Sequence, residues 1–120
     1  MPQIDLEFQL EKPFKNLTRS KTVNIIIKDS QDRYILGTKL GYYPKGIYRL
    51  LGGGVEEGED PKSTAIRELQ EEIKVEVQEN QLVQVAELNI RATDKDNKQY
   101  QTTIELFLVT VPIDSYETST

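Results

Sequence analysis

Only one stretch of this chain repeats with a helical period, and it lies among runs that alternate like strands. Between Pro61 and Lys74 the apolar residues Ala65, Ile66, Leu69 and Ile73 fall on one stripe. At about 100° per residue that stripe is about 100° wide. Asp60 suits the N-cap and Pro61 the first helical position. Elsewhere the pattern is extended. Ile4, Leu6, Phe8 and Leu10 alternate with polar residues, and VNIII (23–27) is β-branched and apolar. YILGTKL (34–40) and IYRLL (47–51) read as short strands, and residues 81–92 and 103–111 as longer ones. DSQDR (29–33), GYYPKG (41–46) and TDKDNKQ (93–99) read as turns or loops between them. The expected fold class is α/β (α+β): one domain over residues 1–120, with a mixed, mostly antiparallel sheet and one principal helix.

Composition narrows the chemistry. With 37% apolar and 29% charged residues the chain is of the folded, globular kind. It has no cysteine and no histidine. Thiolate and imidazole catalysis are therefore excluded, and acid–base work falls to carboxylates, lysine or tyrosine. No apolar run reaches the roughly 20 residues of a membrane helix. The N-terminus lacks a signal-peptide pattern, so a cytoplasmic location and no membrane partner are expected. A formal charge of −5 argues against duplex nucleic acid as a partner. An acidic chain that handles phosphate needs a cation between the two.

The helix concentrates that acidity. On the same angular count Glu71, Glu68 and Glu72 fall near 240°, 300° and 340°, on a stripe separate from the apolar one. Like charges at such spacings destabilise a helix. At ~6 Å each pair repels by about 0.7 kcal/mol in water, or about 3 kcal/mol at an effective dielectric of 20. Either water screens this face, or a hard cation such as Mg²⁺ bridges the carboxylates. Gly52, Gly53 and Gly54, with Gly58, read as a loop whose backbone takes turns closed to other residues and approaches a ligand closely.

The spacing joins these parts. Gly53 is followed by five residues and Glu59, then by seven residues and Arg67-Glu68-Leu69, one residue, and Glu71-Glu72. This resembles the Nudix box, G-x5-E-x7-R-E-U-x-E-E-x-G-U with U apolar, and Val75 fills its last place. The six specified polar and glycine positions would coincide by chance in fewer than about one in a million starts. Lys74 stands where the family has glycine, at the helix end, and Leu51 where many members have proline.

The resemblance implies a Nudix-type α/β/α sandwich and a Mg²⁺- or Mn²⁺-dependent hydrolase. Such enzymes cut the P–O–P bridge of a nucleoside diphosphate linked to another group. It implies Glu68, Glu71 and Glu72 as metal ligands with the Gly52 carbonyl, and Arg67 with Glu59 as the pair fixing the loop against the helix. Gly53, Gly54 and Arg49 are expected at the substrate. Asp114 and Glu117 are the candidates for a general base, or they belong to a plain acidic tail and neither serves, whereas Glu105 reads as a surface residue of a strand. The family's second long helix is not evident after residue 111, so the expectation is either that the chain is truncated or that a partner subunit, as in a homodimer, covers that sheet face. The alternative is a catalytically inactive Nudix-fold module that senses a nucleotide or binds a protein.

Other features stay open or fall away. Lys39, Lys45 and Arg49 read as solvated charges or phosphate contacts. Tyr42, Tyr43 and Tyr48 pack on the sheet or stack on a base. Asp94, Asp96 and Glu105 match three positions of a calcium loop, but Gln99 stands where glycine is needed and Lys98 at a ligand position. That stretch reads as a hairpin turn.

Overall fold

The computed structural model describes residues 1–11, 20–37 and 48–112. Six strands and one α-helix follow in the order β1 (Gln3–Leu10), β2 (Lys21–Asp29), β3 (Tyr34–Ile35), β4 (Leu51–Gly54), α1 (Pro61–Ile73), β5 (Val83–Asp94) and β6 (Gln99–Val111). A single 3-10 turn, Glu79–Gln81, leads from the helix into β5. The strands make one mixed sheet in the order β1-β5-β6-β2-β3, with β4 also paired to β2. β1 runs parallel to β5 and β2 parallel to β6, while β2–β3, β2–β4 and β5–β6 are antiparallel.

Side-chain alternation sets the layers. Val23, Ile25 and Ile27 of β2 sit beside Glu105, Phe107 and Val109 of β6 in the parallel register. These six are buried, and the five apolar ones form the core with Ala65, Leu69 and Ile73 of α1. Burying such side chains is worth roughly 1.5–3 kcal/mol each. Val75, Val77 and Leu82 extend this core past the helix. On the opposite face, Asn24 and Ile26 are only half-buried, and on β1 Ile4 and Phe8 are exposed.

Two hairpin turns share one device. Asp29 and Asp94 are buried, and each accepts hydrogen bonds from the backbone two and four residues on. Each turn puts its fourth residue, Asp32 or Asn97, in the left-handed region. Arg33 Nε reaches Asp29 at 2.7 Å, and the Tyr100 hydroxyl donates to Asp94 at 3.2 Å. Burial pushes the Asp94 carboxyl up, but these donors outweigh it and hold the group below its ordinary value. The Asp94 oxygens thus serve the turn, as the hairpin reading of this stretch expects.

The helix starts and stops for identifiable reasons. Asp60 has extended backbone and accepts the Ser63 amide at 2.8 Å, satisfying one of the helix's open donors. At the other end Lys74 has φ 60° and ψ 34°, the conformation the missing glycine would supply. Its Nζ donates to the Glu71 carbonyl at 3.2 Å, which recovers part of the strain. Lys74→Gly should raise stability by roughly 0.5–1 kcal/mol in urea denaturation. A loss would mean that the lysine hydrogen bond outweighs the backbone strain.

Two expectations need correction here. Gly52, Gly53 and Gly54 form no turn: with Leu51 they are strand β4, paired to residues 22–25 of β2. Of these four glycines only Gly58 has positive φ. The reason for Gly52 and Gly53 is space. A Cβ at Gly52 would collide with the Val23 carbonyl, and one at Gly53 with the Glu68 carboxylate. Glu105 is the second correction. It is 3% exposed, because it shares its face of β6 with Phe107 and Val109. The short strand expected over 34–40 narrows to Tyr34–Ile35 plus a Gly37–Arg49 bridge, with 38–40 outside the described residues.

Candidate active site

Strand β4 and helix α1 meet at Gly53 and Glu68, and the site is built outward from there. Arg67 is its hub. Its Nε and Nη2 donate to Glu59 Oε2 and Oε1 at 2.9 and 3.1 Å, a two-pronged pair. Its Nη1 donates to Glu68 Oε1 at 3.0 Å and to Glu71 Oε2 at 3.5 Å, and Nη2 also reaches the Gly54 carbonyl at 3.3 Å. One side chain therefore ties the 55–60 segment, the helix and the glycine strand together. Glu59 also accepts from the Thr64 hydroxyl at 2.7 Å and the Glu56 amide at 3.1 Å.

These bonds act on protonation. The Arg67 hydrogen bond, then that of Thr64, lowers the Glu59 carboxyl from 4.5 to about 2. The folded value lies below the unfolded one, so Glu59 contributes stability that is present above about pH 4.5 and lost as pH falls toward about 2. Glu59→Gln should be less stable than wild type at pH 6, with the gap closing through that window in urea melts. A gap independent of pH would count against the Arg67 pairing.

The three helix glutamates divide. Glu71 has a 57% exposed side chain, and Arg67 approaches it at 3.5 Å. Glu68 and Glu72 are 13% and 26% exposed, against the solvated-face reading. Burial, above all, raises both carboxyls; Glu71 adds to the effect at Glu68, and Glu68 to that at Glu72. Arg49 and the Gly52 backbone pull the Glu72 carboxyl the other way, and its Oε1 lies 3.6 Å from Arg49 Nη2. Its Oε2 is buried and has no hydrogen-bond partner among the described residues. An unpartnered buried carboxylate oxygen is costly.

The metal expectation has mixed support in the geometry. The donors on the page are all oxygens, the set that hard cations take, and the orphaned Glu72 oxygen fits such a cation. Yet among the described residues no three acidic side chains form a group that could hold an ion. The physical reason is Arg67, which draws Glu68 Oε1 and Glu71 Oε2 to itself.

Of the other expected residues, Arg49 stands beside Glu72, and Gly53 and Gly54 lie against Glu68 and Arg67. Tyr48 is exposed. Asp114, Glu117, Lys39, Lys45, Tyr42 and Tyr43 lie outside the described residues. Sequence reasoning missed Thr64 and the partners of Glu105. Lys21 Nζ approaches Glu105 at 3.6 Å, Gln84 donates to it, and a hydrogen bond to Glu105 raises the Glu87 carboxyl. Counting alternation back from Phe107 would have placed Glu105 inside. On this side of the sheet a trough of 520 Å³ opens between β1, β5 and β6. Its polar groups answer one another: Asn89 donates to Asp5, Thr103 to Asn89, and Arg91 pairs with Glu7.

Comparison with known proteins places this arrangement. Residues 18–118 match the NUDIX domain. Nudix hydrolase 25 of Arabidopsis thaliana is 40% identical over 53 residues, 44% of this chain and 29% of that protein. A MutT/nudix family protein from Enterococcus faecalis superposes with a TM-score of 0.66 at 17% identity, over 92% of this chain and 42% of that one. The E. coli dihydroneopterin triphosphate pyrophosphohydrolase superposes with a TM-score of 0.60 at 18% identity, over 85% of this chain and 73% of that one. These two likenesses are of fold. The match to this chain covers less than half the length of the first two relatives. The family match, by contrast, takes in β2 to β6, the glycine strand and the acidic helix together, so the chain belongs to the NUDIX domain family.

Proposed function

We propose that this chain is a divalent-cation-dependent pyrophosphohydrolase that cleaves the P–O–P bridge of a nucleoside diphosphate linked to another group. The observation that carries the reading is the buried Oε2 of Glu72, without a hydrogen-bond partner among the described residues, beside the half-buried Glu68. Two desolvated carboxylates one helical turn apart repel, and a cation joining them would relieve what Arg67 and Arg49 leave unanswered. Glu68, Glu71 and Glu72, with the Gly52 carbonyl, would hold Mg²⁺ or Mn²⁺. When bound, that ion supplies Lewis-acid polarisation and neutralises the diphosphate.

The chain's own residues do the rest. Arg67, locked by Glu59, orients Glu68 through a 3.0 Å hydrogen bond and is a positioning residue. Gly53 leaves room for the Glu68 carboxylate against the strand. Arg49 offers a guanidinium to the diphosphate. Asp114 and Glu117, later in the sequence than β6, are the candidates for a general base.

The test is a panel of nucleoside diphosphate derivatives incubated with and without Mg²⁺. Metal-dependent release of two phosphate-bearing products from at least one compound supports the reading. Binding without turnover points to a sensing module, and neither binding nor metal response to a protein-interaction domain. E. coli dihydroneopterin triphosphate pyrophosphohydrolase is named for a pterin triphosphate, so such compounds belong in the panel.

The same proposal includes a cytoplasmic protein that binds neither duplex nucleic acid nor membranes. No helix among the described residues is long and apolar enough to cross a membrane. It also includes a homodimer, because Ile4 and Phe8 expose apolar surface on one face of edge strand β1. Sedimentation at tens of micromolar should show a dimer; a monomer there would remove this part of the proposal.

A further inference from the structure

Arg49 is the guanidinium that faces Glu72. Its Nη2 lies 3.6 Å from Glu72 Oε1, and its Nη1 donates to the Leu50 carbonyl at 3.1 Å. Two backbone hydrogen bonds of 2.8 Å to Gly37 pin its main chain. The two side chains are only 32% and 26% exposed, so water screens their attraction incompletely. The site's other guanidinium is committed, since Arg67 serves Glu59, Glu68 and the Gly54 carbonyl. Among the described residues, Arg49 is the one positive side chain paired with Glu72.

We propose that Arg49 is an exchange residue: it neutralises Glu72 while the site holds no cation, and it turns to the diphosphate once a cation has taken Glu72. The inference rests on the metal-dependent reading above and adds a means of regulation to it. A single N–O approach of 3.6 Å is an ion pair without the two-pronged geometry that Arg67 makes with Glu59, so it exchanges readily. A cation at the Glu72 carboxylate would meet the guanidinium there, and two like charges repel. The pinned main chain means that only the side chain moves. Once displaced, the planar fork of arginine matches the oxygens of a phosphate.

Two consequences follow by linkage. The free protein binds cations more weakly than its carboxylates alone would. Cation and nucleotide each favour the binding of the other, by the same factor. A site tuned in this way fills with metal chiefly when substrate is present.

The test uses Mn²⁺ and a fluorescent, non-hydrolysable ADP analogue on wild type, Arg49→Gln and Glu72→Gln, each shown to be folded by its melt. Free Mn²⁺ is read by electron paramagnetic resonance. Without nucleotide, Arg49→Gln should bind Mn²⁺ about fivefold more tightly than wild type, the value of a half-exposed ion pair. At saturating Mn²⁺ it should bind the analogue about fivefold more weakly. Effects of opposite sign are what a merely structural role would not produce. Equal or weaker Mn²⁺ binding by Arg49→Gln overturns the exchange. If Glu72→Gln alone weakens Mn²⁺ binding, the metal site stands and only the role of Arg49 falls. If neither wild type nor Arg49→Gln binds Mn²⁺, both fall.

Discussion

Glu72→Gln should lower hydrolysis by at least ~100-fold, the scale on which metal-site contacts act. The amide keeps the shape of the side chain and removes its charge. It leaves a carbonyl oxygen facing the Gly52 backbone, so the change at the strand–helix junction is small. What is lost is the buried carboxylate oxygen that no group among the described residues answers. Stability without metal should change by less than about 0.5 kcal/mol. Loss of the Arg49 ion pair is offset by relief of repulsion from Glu68. Initial rates on whichever compound proves active, together with a urea melt, check both halves. An inactive variant that is also unfolded would say nothing for the carboxylate, and for that reason the melt belongs beside the assay.

Gly52→Ala should cost about 3 kcal/mol and lower the melting temperature by roughly 10–15 °C. The added methyl would meet the Val23 carbonyl of the neighbouring strand. That oxygen cannot retreat without disturbing the β2–β4 pairing over residues 22–25. The adjacent glycine should behave differently. At Gly53 the methyl would meet the end of the Glu68 side chain, which swings aside. Gly53→Ala should therefore melt within about 1 kcal/mol of wild type but lose at least ~10-fold in rate, because Glu68 leaves its place beside Arg67. Thermal melts and rates of both variants separate the two effects. Equal stability losses would contradict the contact geometry.

The helix was the most legible part of the chain. Its apolar stripe, Asp60 cap and Pro61 start are local signals, and all three lie where the pattern puts them. The left-handed Lys74 was legible only through the family's glycine at that place. The glycine triplet was misread because three glycines suggest a turn, whereas the cause at Gly52 is a neighbouring strand carbonyl and at Gly53 a facing glutamate. No local rule carries that information. Glu105 was misread on composition, since a glutamate is usually exposed. Its position in the alternation with Phe107 and Val109 was the better guide. The Arg67–Glu59 lock came from the motif alone; charge patterning pairs Arg67 equally well with Glu71, four residues on.

The most direct measurement of the central claim, that Glu72 helps to hold a cation, is a pair of thermal melts with and without about 5 mM Mg²⁺. Binding to the folded state alone raises the melting temperature by mass action, and a ~0.1 mM site gives ~2 kcal/mol at that concentration. Wild type should shift upward and Glu72→Gln much less. Identical Mg²⁺ responses in the two proteins, with hydrolysis retained by the variant, would contradict the assignment.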